Sequence, residues 1–202
     1  MSKRIFDVLF AFISILALSP FLIATALIVS FSSKGPVLYI QSRVGRNNND
    51  FGLWKFRTMY VNGRSGGLLT IGDRDPRITK IGYWLRKYKI DELPQLFNVL
   101  KGDMSVVGPR PEVRKYVEMY DTTQQRVLSV KPGITDWASI QFRDESELLG
   151  RADDPEHFYI TEIIPVKLQS NLEYIDHHDF FVDLRIIVFT IRKVLLGRHT
   201  SN

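Results

Sequence analysis

Two adjacent carboxylates, Asp91 and Glu92, stand in the stretch Lys89-Ile90-Asp91-Glu92-Leu93-Pro94-Gln95. Behind them Leu93, Leu96, Phe97 and Leu100 recur at offsets of three, four and seven, which lays four apolar side chains along one helix face. Asp91 occupies the position expected of an N-cap, Pro94 falls in the first turn, and Gly102 stands where a helix stops. The plainest reading is a cap plus a first-turn acid, both suited to the helix dipole. The neighbours argue for more. Arg86, Lys87 and Lys89 precede the pair, and Arg110 follows in Gly108-Pro109-Arg110-Pro111. A helix N-terminus ringed by Arg and Lys attracts phosphate. Carboxylates placed there invite a divalent cation between them and phosphate oxygens, and Mg²⁺ prefers such a mixture of ligands.

The elements that must position this cluster can be read along the chain. Lys3 and Arg4 open onto an apolar run from Ile5 to Phe31, whose single ionisable residue is Asp7. As a helix the run is about 40 Å long, enough to cross a hydrocarbon core of about 30 Å. It is too long for the core of a cleaved signal. Ser19-Pro20 interrupts it near the middle, where proline removes a helical hydrogen bond and serine can satisfy a freed carbonyl. Positive residues flank both ends: Lys3 and Arg4 before, then Lys34, Arg43 and Arg46. The positive-inside rule therefore favours both ends on one side. A spanning anchor and a re-entrant helix-break-helix both remain open on these grounds.

Val37 to Ile40 and Phe51 to Met59 read as two strands joined by the turn chemistry of Gly45-Arg46-Asn47-Asn48-Asn49-Asp50. On the return strand Lys55 and Arg57 are two apart and share a face, which is either simply solvated or aimed at an anionic ligand. Val61 to Asp75 is polar and Gly-rich and reads as a mobile loop, with no Walker or dinucleotide fingerprint. Ile78 to Lys89 is expected to be a helix. Pro111 is expected to start another, running through Val113, Tyr116, Val117 and Tyr120. Asp136 to Arg143 is a short apolar segment ending in arginine. Phe180 to Leu196 is a helix suited either to the core or to a membrane interface.

Composition sets outer bounds. The 202 residues carry a formal charge of +5, with 45% hydrophobic and 24% charged residues, so the chain is not a disordered one. A basic balance suits anionic lipid, nucleic acid or phosphorylated substrates. There is no cysteine, which excludes disulfides and zinc-thiolate sites. His157, His177, His178 and His199 show no metal-binding spacing.

Taken together, KRIFD before an apolar run broken at Ser-Pro, then WKFRTM, LRKYKIDELPQLFNVLKGDMSVVGPRPE and VKPGIT, strongly resemble the monotopic phosphoglycosyl transferases of the bacterial sugar transferase family. The likeness runs from about the N-terminus to Arg143. It implies an α+β, mainly helical fold: a re-entrant membrane helix over residues 1–34, then a β-hairpin and a small helical catalytic domain with membrane-interface amphipathic helices over residues 35–202. It implies Mg²⁺-dependent transfer of a sugar 1-phosphate from a UDP-sugar to a polyprenyl phosphate at the cytoplasmic face of the inner membrane. UMP would be released, and no nucleic acid would take part. By the same resemblance Asp91 matches the nucleophile and Glu92 the metal-linked carboxylate. Arg86 and Arg110 match phosphate-contacting arginines, and Arg143 matches an arginine closing the segment after KPGIT. There Asp136, Trp137, Ser139 and Phe142 replace residues that are commonly Gly, Leu, Gln and Gly, which implies a different donor pocket.

The chemistry agrees with the residues. An ionised Asp91, kept so by helix dipole and cations, would attack a diphosphate at phosphorus. A Mg²⁺-dependent nucleotide-sugar pyrophosphatase and a basic, membrane-anchored adaptor are the rival classes. Only the adaptor leaves the acidic pair inside a basic cluster unexplained.

Overall fold

The computed structural model describes residues 3–61, 67–72 and 75–196. Part of the Gly-rich segment expected to be a mobile loop (62–66 and 73–74) and His199 therefore lie outside the described residues. In chain order the elements are α1 (Lys3–Ser32), β1 (Leu38–Val44), β2 (Asp50–Phe56), α2 (Lys80–Lys87), α3 (Gln95–Lys101), β3 (Ser105–Val107), α4 (Arg114–Val117), β4 (Gly133–Thr135), α5 (Trp137–Gln141), α6 (Glu145–Gly150), α7 (Pro155–Phe158), α8 (Ile164–His177) and α9 (Phe180–Leu196). The architecture is α+β and mostly helical, with two two-stranded sheets among the described residues.

Helix α1 is one continuous element, and Pro20 lies inside it. Ser19-Pro20 does not interrupt it as expected. Pro20 has no N–H for the carbonyl of Leu16, four residues back, and Ser19 Oγ donates to that carbonyl instead at 2.8 Å. The first half of α1 is built into the main core. Ala11 is fully buried there with Leu96, Val99, Met104, Val106 and Ile186, and Phe6, Phe10 and Ile15 pack against them. Asp7, the one acid of the apolar run, accepts hydrogen bonds from Ser105 Oγ and from the N–H of Val106, each at 3.0 Å. Arg4 reaches the last carbonyls of α3 at Val99 and Leu100. The second half packs through Leu22 and Val29 against Phe56 and Leu85. Both ends of α1 thus rest on the same body, while Phe12, Ile13, Leu16 and Phe21 between them are exposed. By length and composition α1 could cross a membrane.

The hairpin pairs Leu38 with Phe56 through Val44 with Asp50 in antiparallel register. Asn47 and Asn48 take left-handed conformations in its turn, which asparagine tolerates better than most residues. The return strand is shorter than expected. It ends at Phe56, and Arg57 leaves the sheet to donate to the carbonyls of Val29 (3.0 Å), Ser33 (2.5 Å) and Pro36. The guanidinium thereby closes the exit of α1, so it does not share an outward face with Lys55.

Helix α2 starts two residues later than expected because Thr79 caps it, accepting from the N–H of Gly82. Pro111 does not start α4. That helix begins at Arg114, since residues from Gly108 to Val113 run extended past β4 and the hairpin. Asp179 accepts from the N–H of Val182 and opens α9, whose bounds match the expectation. The core reading of α9 holds on one face. Asp183, Ile186 and Ile187 are buried, whereas Phe181, Val188, Ile191 and Leu196 are exposed.

Strands β3 and β4 run parallel, pairing Ser105 with Gly133 and Val107 with Thr135. Gly133 donates from its N–H to the carbonyl of Pro109 and Gly108 donates to Thr135. A Cβ on Gly133 would collide with the backbone of Gly108. This crossing aims the loop that carries Arg110. Gly133→Ala should therefore cost about 1–3 kcal/mol, as overpacking does. Gly67→Ala, with open space around it, should leave thermal unfolding in lipid nanodiscs unchanged; equal midpoints for both variants would refute the close-approach argument.

Candidate active site

Between α2 and α3 the chain makes a single tight turn over Ile90–Glu92. Lys89 enters it in the left-handed region, with φ 56° and ψ 21°, a conformation that costs a non-glycine residue about 1–2 kcal/mol. Helix α3 begins only at Gln95 with Pro94 as its cap residue, and Gly102 ends it at φ 101° as the sequence predicts. Asp91 is therefore not the N-cap. It sits one turn earlier, and its side chain caps nothing. Asn98 of α3 holds the hairpin against this turn: its side chain accepts from the N–H of Trp54 at 3.0 Å and donates to the carbonyl of Gly52 at 2.7 Å. That contact brings Lys55 to the acid pair.

Asp91 and Glu92 are both buried, with 6% and 8% exposure. Glu92 is clamped. Lys55 Nζ donates to its Oε1 at 3.1 Å, and Arg110 donates through Nη2 to Oε1 at 2.5 Å and through Nη1 to Oε2 at 3.1 Å. Burial opposes the charge on Glu92, but Arg110 and Lys55 overcome it and hold the carboxyl well below its usual range. Burial pulls the Lys55 ammonium down while Glu92 pulls it up, with a net lowering. The attraction of Glu92 raises Arg110 further.

Asp91 behaves oppositely. Burial first, then the charge of Glu92, raise its proton affinity, and Lys55 and Arg86 only partly offset them. Its Oδ1 is buried without a hydrogen-bond partner. The expected pull of dipole and cations on Asp91 is thus outweighed by burial and by Glu92, which shift its carboxyl upward. Helix α3 starts too late in the chain for Asp91 to cap it, and Lys55 is engaged by Glu92.

The remaining expected site residues divide. Lys55 and Arg110 join the acid pair directly. Arg86 is near enough to influence Asp91 and donates to Thr70 Oγ1 at 2.8 Å. Arg57 is held by the α1 exit, and Arg143 donates to the carbonyl of Lys193 on α9 at 2.5 Å. Ser19 and Pro20 lie in the exposed middle of α1. Two residues of the site went unassigned by sequence reasoning. Gln95, 1% exposed, has an unpartnered Nε2 beside the turn. Asp136, fully buried, accepts from the N–H of Arg110 at 3.0 Å and from the N–H of Ser139 at 2.6 Å, so it fixes the arginine loop onto the start of α5. The signal for Asp136 was present: an aspartate directly before a short helix is N-cap chemistry.

Among the described residues no three His, Cys, Asp or Glu side chains gather as a metal cluster. The pair has some capacity for a cation nonetheless. A carboxylate offers about four lone-pair sites, and Lys55 and Arg110 fill three on Glu92, leaving one on Oε2; Asp91 Oδ1 is also without a partner. Few carboxylates plus phosphate oxygens suit Mg²⁺.

A family model described as bacterial sugar transferase matches residues 1–197. The chain is 39% identical over 198 residues to a UDP-N-acetylgalactosamine-undecaprenyl-phosphate N-acetylgalactosaminephosphotransferase of Aeromonas hydrophila, covering 96% of this chain and 44% of the relative. It is 36% identical to a UDP-glucose:undecaprenyl-phosphate glucose-1-phosphate transferase of Escherichia coli, covering 97% and 40%. It is 39% identical to the uncharacterized sugar transferase EpsL of Bacillus subtilis, covering 96% and 88%. The chain thus spans less than half the length of the first two of these relatives. It belongs to the bacterial sugar transferase family.

The unequal pair predicts opposite stability effects. Asp91→Asn removes a buried, unpartnered carboxylate and should hold or raise the unfolding midpoint. Glu92→Gln strands Lys55 and Arg110 and should cost roughly 3 kcal/mol, the low end for breaking a buried pair because the Arg110 side chain is 33% exposed. Equal effects of the two substitutions in denaturant titration would contradict the assignment of the clamp to Glu92.

Proposed function

We propose that this chain transfers a sugar 1-phosphate from a UDP-sugar to a membrane polyprenyl phosphate and releases UMP, with Asp91 as a covalent nucleophile. The observation that carries the reading is the division within the pair. Glu92 is fixed by three donor contacts, and Asp91 beside it keeps an oxygen without a partner. A fixed anion organises cations, and an unengaged carboxylate oxygen is what an attacking group needs.

The chemistry balances in two displacements. Asp91 attacks the sugar-bearing phosphorus; the bond to the bridging oxygen breaks and its electron pair leaves with UMP. The acyl-phosphate is then attacked at phosphorus by an oxygen of polyprenyl phosphate, and the Asp91 carboxylate leaves. Each step builds negative charge on phosphoryl oxygens, which prearranged donors stabilise. Arg110 spends two of its five N–H groups on Glu92 and retains others for phosphate. Lys55 likewise retains donors. Glu92, with Asp91 beside it, would hold Mg²⁺, which when bound neutralises the diphosphate and the departing UMP. Added positive charge also favours the ionised form of Asp91.

The positive flanks Lys3, Arg4 and Lys34 favour a cytoplasmic body, and several contacts support a re-entrant helix. Arg4 and Asp7 tie one end of α1 to α3 and β3, and Arg57 ties the other end to the hairpin exit. A straight spanning helix would carry one end about 40 Å from the body. The Ser19 contact to Leu16 relieves the backbone at Pro20 where the exposed middle would enter lipid.

Three measurements test the reading. UMP release should require both UDP-sugar and polyprenyl phosphate, and should fall by at least about a thousandfold in Asp91→Asn; lipid-independent release would make the chain a hydrolase, and no release would favour an adaptor. Chelation should abolish turnover, with recovery on adding Mg²⁺. UDP-sugar alone should leave a phosphosugar on the protein, seen as an intact-mass increase after rapid quench, and strict ternary kinetics with no adduct would move Asp91 to another role.

Topology has its own test, since the chain lacks cysteine. Single cysteines at Ser2 and Lys34 should both resist an impermeant thiol reagent in intact cells and react after permeabilisation. Labelling of either one in intact cells would establish a spanning helix.

A further inference from the structure

Helix α2 packs Ile81 and Leu85 against Leu22 and Val29 in the second half of α1. Two aromatic rings of α2 stay outside that contact. Trp84 is 52% exposed and Tyr88 46%. One turn apart, their rings stack nearly parallel, with 6.2 Å between centroids and 10° between planes. Together they form a flat apolar ledge. Tryptophan and tyrosine of this kind settle at the headgroup level of a bilayer. The half of α1 that α2 packs on exposes Phe21, Ile23, Leu27 and Ile28. The ledge thus borders a helix suited to lipid.

The cations beside the ledge are unengaged, unlike the others around the acid pair. Lys55 and Arg110 hold Glu92, Arg86 donates to Thr70, and Arg57 closes the exit of α1. Lys87 and Lys89 make no ion pair and no side-chain hydrogen bond among the described residues. Lys87 Nζ lies 5.3 Å from the centre of the Trp84 ring, a cation–π contact. The charge of Lys89 acts on both Asp91 and Glu92. The ledge also ends at the acid pair: Tyr88 precedes Asp91 by three residues, at most about 11 Å between α-carbons.

The complement of this strip has a long apolar chain to lie across two rings and an anionic head to meet two lysines. A lipid monophosphate has both. A resident phospholipid would stand close to Asp91 and exclude the acceptor, so the acceptor itself is the occupant that agrees with the position. Resting on the phosphoglycosyl transfer reading, we propose that Trp84 and Tyr88 seat the first isoprene units of polyprenyl phosphate and that Lys87 and Lys89 hold its phosphate on the approach to Asp91.

One measurement needs no turnover. Full-length protein in phosphatidylcholine nanodiscs is irradiated with a polyprenyl phosphate that carries a diazirine on its first isoprene unit. The adduct should map to residues 80–89. Unlabelled polyprenyl phosphate should compete for it, and polyprenol or phosphatidylglycerol at the same mole fraction should not. Loss of the transfer reading alone would leave this selectivity intact. In turnover with UDP-Glc or UDP-GalNAc, Trp84→Ala and Tyr88→Ala should each raise KM for polyprenyl phosphate about tenfold, the order of half-burying one aromatic ring, with KM for the nucleotide sugar unchanged. Trp84→Phe and Tyr88→Phe keep a ring and should stay within about threefold of the parent. Phe181→Ala removes an exposed ring on α9 and should leave the acceptor KM as it was. An adduct mapped elsewhere, equal competition by phosphatidylglycerol, parental acceptor KM in the Trp84 and Tyr88 alanine variants, or an equal rise in Phe181→Ala would each overturn the proposal.

Discussion

The clamp on Glu92 is the interaction on which the rest of the site depends. A buried carboxylate is costly unless its lone pairs are filled, and here Lys55 from the hairpin and Arg110 from the loop after β3 fill them. Three separately folded segments must meet for this to happen: the turn between α2 and α3, strand β2, and the proline-bounded loop. Their meeting satisfies one acid and strands the other. Asp91 is left buried beside a like charge with one oxygen unpartnered, and Lys55, Arg86 and Lys89 only partly offset that burial and charge.

Each segment is held by a contact that has little to do with charge chemistry. Asn98 ties β2 to α3 by receiving one backbone group of the hairpin and donating to another. Gly133 lets β4 lie against Gly108 so closely that no side chain fits between them. Asp136 takes the backbone N–H of Arg110 and caps α5 with its other oxygen. Asp7 binds the start of β3 from within the apolar helix, and Arg4 covers the carbonyl end of α3. Lys3 adds a link from α1 to Asp183, which also receives Tyr174. Helix α1 is therefore continuous with the support of the site: one end of α3 is fastened to it, and β3 leads from it directly to Arg110.

Much of this was legible in the sequence, for stated reasons. The apolar periodicity after Asp91 marked α3, Gly102 marked its end, and the Gly-Asn-rich turn marked the hairpin, because these signals are local. Lys55 and Arg110 were legible as basic residues around an acid pair. The sequence could not apportion them, since which carboxylate wins the cations depends on where the Lys89 turn points each side chain. Arg57 misled for a similar reason. Strand alternation put it beside Lys55, but the strand stops at Phe56 and the carbonyl-rich exit of α1 lies within reach. The N-cap at Asp91 failed because Pro94 sets the start of α3, a competition between two plausible starts that packing decides. Asp136 was visible as a departure from the family pattern, yet its partner, the N–H of Arg110, is 26 residues away in sequence.

That departure has a structural logic. Where a glycine would leave the start of α5 uncapped, an aspartate both caps it and grips the arginine loop. Its neighbour Ser139, also divergent, has its N–H taken by that same carboxylate, which leaves the hydroxyl as the only part of the residue directed elsewhere. The two substitutions thus act on one another. The first fixes the position of the second, whose hydroxyl is enclosed without a partner. A change in the segment after KPGIT therefore alters what holds the Arg110 loop without altering the acid pair itself.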